Sequence, residues 1–459
     1  MVGYLLTTIL LLSCVAFWVG RSAGNKFAAK SAQSTHSLPG YHGAFVAIWV
    51  GLPALVLVLL WVLFQNNVIN GLLVGSLPDD LTAGASPAQI SLLIAEVRNV
   101  AAGQIFGTPS PDIVAAAERL GSWQSISAWA MVVVAVSIML LAMAFTRARL
   151  TPAFRARNRV ENILSGLMIL CSIAAVLTTL GIITSLLYES WAFFKIVPPA
   201  DFFFGLNWEP QIAIRADQVA GNGAFGAVPV FVGTILIATI AMTVATPIGL
   251  YTAIYLVEYA NERTRSIVKP ILEMLAGVPT VVYGFFAVLT VAPAIREAGG
   301  LFGLATSPNS ALAAGGVMGI MIIPFISSLS DDALRAVPRS LRDGSLAMGA
   351  TRAETMTRVL LPAALPGIVG GILLALSRAI GETMIVVMAA GLIASLTFNP
   401  IDSVTTVTVQ IVTLLIGDTA FDSPKTLAAF ALGLVLFLIT LALNVVALRV
   451  VRKYREQYD

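Results

Sequence analysis

Nine apolar runs, each close to the ~20 residues an α-helix needs to cross a bilayer, leave this 459-residue chain few ways to fold. They fall near residues 4–20, 43–65, 123–145, 163–188, 228–257, 270–291, 311–328, 367–396 and 427–450. In hydrocarbon every backbone N–H and C=O must find a partner within protein, and a helix achieves this inside one segment. The pattern therefore predicts an all-α polytopic membrane protein, in keeping with 58% hydrophobic and 11% charged residues.

Basic residues orient the spans, because cytoplasmic loops collect Lys and Arg. With the C-terminus inside, 20 of the 27 Lys and Arg fall in inside loops and six in outside loops. The reading is N-terminus out and C-terminus in. Arg21 is the earliest basic residue, so the first run is read as a retained helix rather than a secretory signal. The one cation left over, Arg378, falls inside a span.

The densest basic loop, "RARLTPAFRARNRVE" at 147–161, divides the chain. Residues 1–158 hold about three spans and an outside segment near 66–122, and residues 159–459 hold six. The outside stretch "SPAQISLLIAEVRNVAAGQIF" spaces its apolar residues for a short amphipathic surface helix. "GNGAFG" at 221–226 formally matches the dinucleotide fingerprint but lacks the βαβ setting that gives it meaning, and is read as a loop. No P-loop, zinc-protease or nucleophile-elbow signature occurs, so any ATP must be bound by another chain. Cys14 and Cys171 lie in apolar runs, while His36 and His42 sit in a cytoplasmic linker without a cysteine or carboxylate cluster. No metal site, bound cofactor or nucleic-acid partner is expected.

Close helix contacts are predicted at Gly315 with Gly319 and at Gly367 with Gly371, by their spacing. "GVPTVVYG" at 277–284 predicts an interrupted helix. The loop 331–362, "DDALRAVPRSLRDGSLAMGATRAETMTRVLLP", is the most informative soluble segment. Leu341, Ser345, Leu346 and Met348 give residues 340–348 a small or apolar face, and Gly349 then supplies a break with a geometry that β-branched residues resist. Such a helix and turn suit docking to a partner.

Here the sequence resembles the permease subunits of bacterial ABC importers, whose cytoplasmic motif is E-A-A, three residues, G, nine residues, I-x-L-P. Gly349 is followed after nine residues by Val359, Leu360, Leu361 and Pro362, and the E-A-A positions hold Asp343, Gly344 and Ser345. "RAIGETM", "GETMIVVMAAG", "GVPTVVYGFF" and "YLVEYA" narrow the resemblance to the PstC-type permease of phosphate importers, rather than its PstA-type partner. The likeness runs from about residue 161 to the end, and the first 160 or so match only a longer form.

The resemblance implies a type I permease core of six helices in the bacterial inner membrane, paired with a PstA-type permease. It also implies an extracytoplasmic phosphate-binding protein and two ATPase subunits that use ATP and magnesium. Asp343, Gly344, Ser345, Gly349, Val359, Leu361 and Pro362 would then couple to the ATPase. A permease for sulfate or molybdate and a non-transporting phosphate-signalling subunit are the alternatives.

Within "LALSRAIGETMIVVMAAG" at 374–391, Arg378 and Glu382 are four apart and so predicted to share a helix face and pair. A charge at mid-bilayer costs roughly 2.5–3.5 kcal/mol on the lenient insertion scale, and a buried ion pair is a poor source of stability. A guanidinium, however, is a planar fork suited to phosphate oxygens. Arg378, Glu382, Ser377 and Thr383 are the expected pathway residues, with Glu382 holding the guanidinium between substrates.

Overall fold

The computed structural model describes residues 2–30, 36–78, 87–104, 109–211, 223–416 and 423–454. They group into two compact units, Met1–Leu177 and Thr178–Asp459. Nine helices among the described residues are long and apolar enough to cross a membrane. Each corresponds to one of the nine apolar runs.

The first unit contains α1 (Val2–Lys30), α2 (Pro39–Ser76), α3 (Pro87–Ala101), α4 (Pro111–Arg149) and the start of α5 (Ala156–Ile196). Ser110 begins α4 by accepting a hydrogen bond from the Ile113 N–H at 3.4 Å. At 1.5 Å per residue α2 and α4 are roughly 57–59 Å long, about twice the ~30 Å hydrocarbon layer. Helix α3, the expected surface helix, packs on their ends around Leu73, Val97, Ile113 and Leu120. Arg98 ties it to Asn70 at 2.9 Å. His42 corrects the expectation of a linker residue: it lies in α2, buried, beside Phe27 and Phe154. The preceding residues give α2 Pro39 at its first turn, so the helix starts earlier than the apolar run.

The second unit continues α5 and adds α6 (Pro199–Phe204), then a short antiparallel pair, β1 (Trp208–Glu209) with β2 (Ala224–Phe225), in which Trp208 faces Phe225. The first two residues of "GNGAFG" lie outside the described residues, and its last three include β2. Next come α7 (Val228–Ile254), ending in a π-helical turn Tyr255–Tyr259, and the amphipathic α8 (Glu262–Ala276). Helix α9 (Thr280–Phe286) runs through a second π-turn, Ala287–Val291, into α10 (Ala292–Leu301).

Then follow α11 (Ala311–Arg335), α12 (Arg339–Ala347) and α13 (Arg352–Thr355), which continues through the π-turn Met356–Leu360 into α14 (Leu361–Ile380). Two short helices, α15 (Met384–Ala389) and α16 (Val407–Leu415), precede α17 (Pro424–Tyr454).

Two expected spans are redrawn. The run 270–291 is interrupted at residues 277–279, where Gly277 caps α8 and Pro279 starts α9, so the crossing helix is Thr280–Leu301. The run 367–396 breaks at Gly381, so its crossing helix is Arg352–Ile380 and its second half turns back into the protein.

Helix α11 is the most enclosed span, clasped by α7 and α14. The four spaced glycines explain how. A Cβ at Gly315 would meet Ile240 of α7 at 2.8 Å, and one at Gly319 would meet Val244 at 2.9 Å. On α14, a Cβ at Gly367 would meet Ala333 at 2.8 Å, and one at Gly371 would meet Leu329 at 2.9 Å. The backbones approach because side chains are absent.

Candidate translocation and coupling site

The C-terminus of α14 brings Ser377, Arg378, Glu382 and Thr383 to one break in the helix. The Gly381 N–H closes the last turn on the Ala379 and Ser377 carbonyls. Glu382 follows in the turn, where its Oε1 accepts from the Thr383 and Met384 N–H groups at 3.2 and 3.1 Å. Its backbone carbonyl accepts from the Thr408 hydroxyl at 2.9 Å. The expected pairing of Arg378 with Glu382 does not form, because α14 ends before residue 382 and the carboxylate serves the first turn of α15 instead.

Arg378 reaches over α11. Its Nη2 lies 3.8 Å from the Met321 sulfur and its guanidinium carbon 6.0 Å from the Phe325 ring centre. No carboxylate among the described residues pairs with it. On the residue just before it, the Ser377 hydroxyl is buried without a hydrogen-bond partner. The Thr383 hydroxyl contacts the Gly381 carbonyl at 3.4 Å. The break thus presents a guanidinium with unused donors, beside a buried hydroxyl that has no partner, and the guanidinium is able to receive an oxyanion.

A polar network missed in the sequence holds the returning segment. Gln410 accepts from the Trp208 indole at 2.8 Å, and its amide donates to the Leu392 carbonyl at 2.8 Å and to Thr405 at 3.1 Å. The Val407 N–H donates to Thr234 of α7 at 3.0 Å. "VTTVTVQ" carried the signal, since alternating hydroxyls in an otherwise apolar stretch imply backbone that is not helical throughout.

On the far side of α14, α12 is the helix expected in the cytoplasmic loop. It ends at Gly349, whose φ is +91°. The Gly349 N–H donates to the Leu346 carbonyl at 3.0 Å and the Ala350 N–H to the Ser345 carbonyl at 3.2 Å. The chain restarts through a capping box, with the Glu354 N–H on the Thr351 hydroxyl and Glu354 accepting in return from the Thr351 N–H at 2.9 Å. The expected single apolar face is split. Leu341 and Ser345 turn inward, while Asp343, Gly344, Leu346 and Met348 are exposed, because Leu341 and Ser345 are one helical turn apart and Leu346 lies off that line. Val359 and Leu361 are half-buried and Pro362 is exposed in the restarted helix.

Two buried acids gather the cations on this side. Asp331, with a side chain 4% exposed, meets Arg265 at 3.0 Å, Lys269 at 2.9 Å and Arg335 at 3.3 Å. Glu258 meets Arg342 at 3.0 Å. Sequence reading passed over both, although Glu258 stands out as an acid at the end of a long apolar run.

A family described as "Binding-protein-dependent transport system inner membrane component" matches residues 245–456, and one described as "Phosphate ATP-binding cassette transporter" matches residues 6–178. The "Probable ABC transporter permease protein YqgH" of Bacillus subtilis (strain 168) is 34% identical over 244 residues, covering 53% of this chain and 75% of that protein. The "Phosphate transport system permease protein PstC 1" of Mycobacterium tuberculosis is 33% identical over 277 residues, covering 55% and 81%. A solved bacterial alginate ABC transporter aligns with 66% of this chain and 98% of its own at 16% identity, with a TM-score of 0.45. On its identity to the curated relatives and their coverage, the chain belongs to the PstC-type permease family of binding-protein-dependent ABC importers.

Proposed function

We propose that the chain is the permease subunit of an ATP-driven inorganic phosphate importer. It forms the pathway with a PstA-type permease, receives phosphate from an extracytoplasmic binding protein and is driven by a pair of ATPase subunits, which handle ATP and magnesium. It is a transport subunit, not an enzyme. Residues 159–459 act as the permease core and residues 1–158 as an extension, set in the bacterial inner membrane with the N-terminus outside and the C-terminus in the cytoplasm.

The observation that carries this reading is Arg378, a guanidinium in a crossing helix with no carboxylate among the described residues to neutralise it. An uncompensated charge there is expensive, and a transiting phosphate supplies the missing anion. Arg378 grips its oxygens, Ser377 offers a further donor, and Glu382 and Thr383 shape the turn beside them. The carboxylate of Glu382 keeps the site from holding the anion too firmly. At the cytoplasmic end, Asp343, Gly344, Ser345 and Gly349 present the docking helix, while Val359, Leu361 and Pro362 seat its return into the membrane.

The test is labelled phosphate uptake by the chain reconstituted with its partner permease, ATPase and binding protein, with sulfate and molybdate as competitors. ATP-dependent uptake that neither competitor blocks is expected. Equal competition by sulfate or molybdate would assign the chain to another oxyanion, and absence of ATP-dependent flux would leave the signalling role.

A further inference from the structure

Helix α12 has none of its own residues buried, yet it is fixed to the membrane core. Its fastenings are few and specific. Leu341 rests against the cluster of Ala253, Leu334 and Val337. The Ser345 hydroxyl bonds Thr355, at the foot of the helix that becomes α14, at 3.0 Å. Arg342 Nη2 donates to Glu258 Oε1, at the end of α7, at 3.0 Å.

The last contact is unusual in its chemistry. The Glu258 side chain is 0% exposed and its Oε2 has no partner. A half-satisfied buried carboxylate lowers stability relative to an apolar residue of the same size. It also sits in a π-helical turn, a distortion that concentrates at functional positions.

We infer that Glu258 is the positioning residue through which α12 moves the translocation core. This rests on the proposed function. Arg342 bonds Glu258 from a helix that leaves Asp343, Leu346 and Met348 exposed, and these residues form its docking face. A push on that face passes through the ion pair into α7. Helix α7 is interlocked with α11 at Gly315 and Gly319, and α11 carries the Met321 and Phe325 side chains beneath Arg378. The free Oε2 gives the same guanidinium a second acceptor when α12 shifts, converting a single bond to a two-bonded fork. The cost of the buried charge is thus tied to the moving state rather than to folding.

The experiment uses the full complex in proteoliposomes and reads phosphate imported per ATP hydrolysed. Glu258→Gln and Arg342→Gln should each lower that ratio at least fivefold while the ATPase still co-purifies and hydrolyses ATP. The double variant should be no worse than the more severe single, since both remove one link. Arg342 is partly exposed, so Arg342→Gln keeps the test decisive if Glu258→Gln fails to assemble. A wild-type ratio in Arg342→Gln, or effects that multiply in the double variant, would overturn the inference. Absence of ATP-dependent uptake by the wild-type complex would instead overturn the functional reading beneath it.

Discussion

Gly349 closes α12 with φ at +91°, and no atom lies within 4 Å of the place a Cβ would occupy. The cost of a side chain there is therefore a backbone cost alone. For an L-residue the left-handed region costs roughly 1–2 kcal/mol, with β-branched residues the worst suited to it. At 1.4 kcal/mol per tenfold, that is about a 5- to 30-fold loss of the docking-competent turn, too little to unfold a membrane domain. Gly349→Val should insert and assemble normally but import 5- to 30-fold less phosphate per ATP, with Gly349→Ala milder and Gly349→Asn mildest. The assay is paired uptake and ATP hydrolysis in proteoliposomes. Valine at the wild-type ratio, or asparagine as damaging as valine, would refute the argument from backbone geometry.

Four substitutions and one truncation address separate features. Arg378→Lys keeps the charge but loses the fork, and should lower phosphate flux tenfold or so with ATPase binding intact; Glu382→Gln should also impair uptake, and wild-type import by both would move the pathway elsewhere. Asp331→Asn leaves Arg265, Lys269 and Arg335 without their acid, and should destabilise the detergent-solubilised protein by up to about 3–5 kcal/mol, read as a lower melting temperature; an unchanged melting temperature counts against the cluster. Gln410→Leu strands the Trp208 indole and the Leu392 carbonyl, at about 1–3 kcal/mol per buried group, and proteolysis within residues 390–406 should accelerate. A chain beginning near Arg155 should retain some phosphate transport if it inserts, and complete loss from a correctly assembled truncation would place the extension within the mechanism.

The crossing helices were legible in the sequence because apolar length is a direct consequence of the solvent. Gly349 was legible for the same kind of reason: one residue type fits the turn best. What misled was the assumption that a continuous apolar run is a continuous helix. Residues 367–396 contain no proline after Pro366, and the only cue to the break was the Gly381–Glu382 step. The Arg378–Glu382 pairing failed with that helix, since four-residue spacing has meaning only while the helix continues. Glu258 and Asp331 were invisible for a different reason. Their partners are 84 and 62–66 residues away along the chain, apart from Arg335, and no local pattern carries that information.

The returning segment behind Arg378 also bears on how the chain is made. Helices α15 and α16 contain six and nine residues, each well short of the ~20 that membrane insertion recognises as a span. Neither piece can enter hydrocarbon alone with its backbone ends unpaired. The acceptors and donors that settle them, Thr234 on α7 and the Trp208 indole, belong to segments synthesised earlier. The segment therefore folds late in biogenesis, into a place already framed by α7 and the β1–β2 pair. A nascent chain with this segment misplaced leaves the Trp208 indole, the Val407 N–H and the Gln410 amide without these partners, at the cost that unpaired polar groups carry in hydrocarbon.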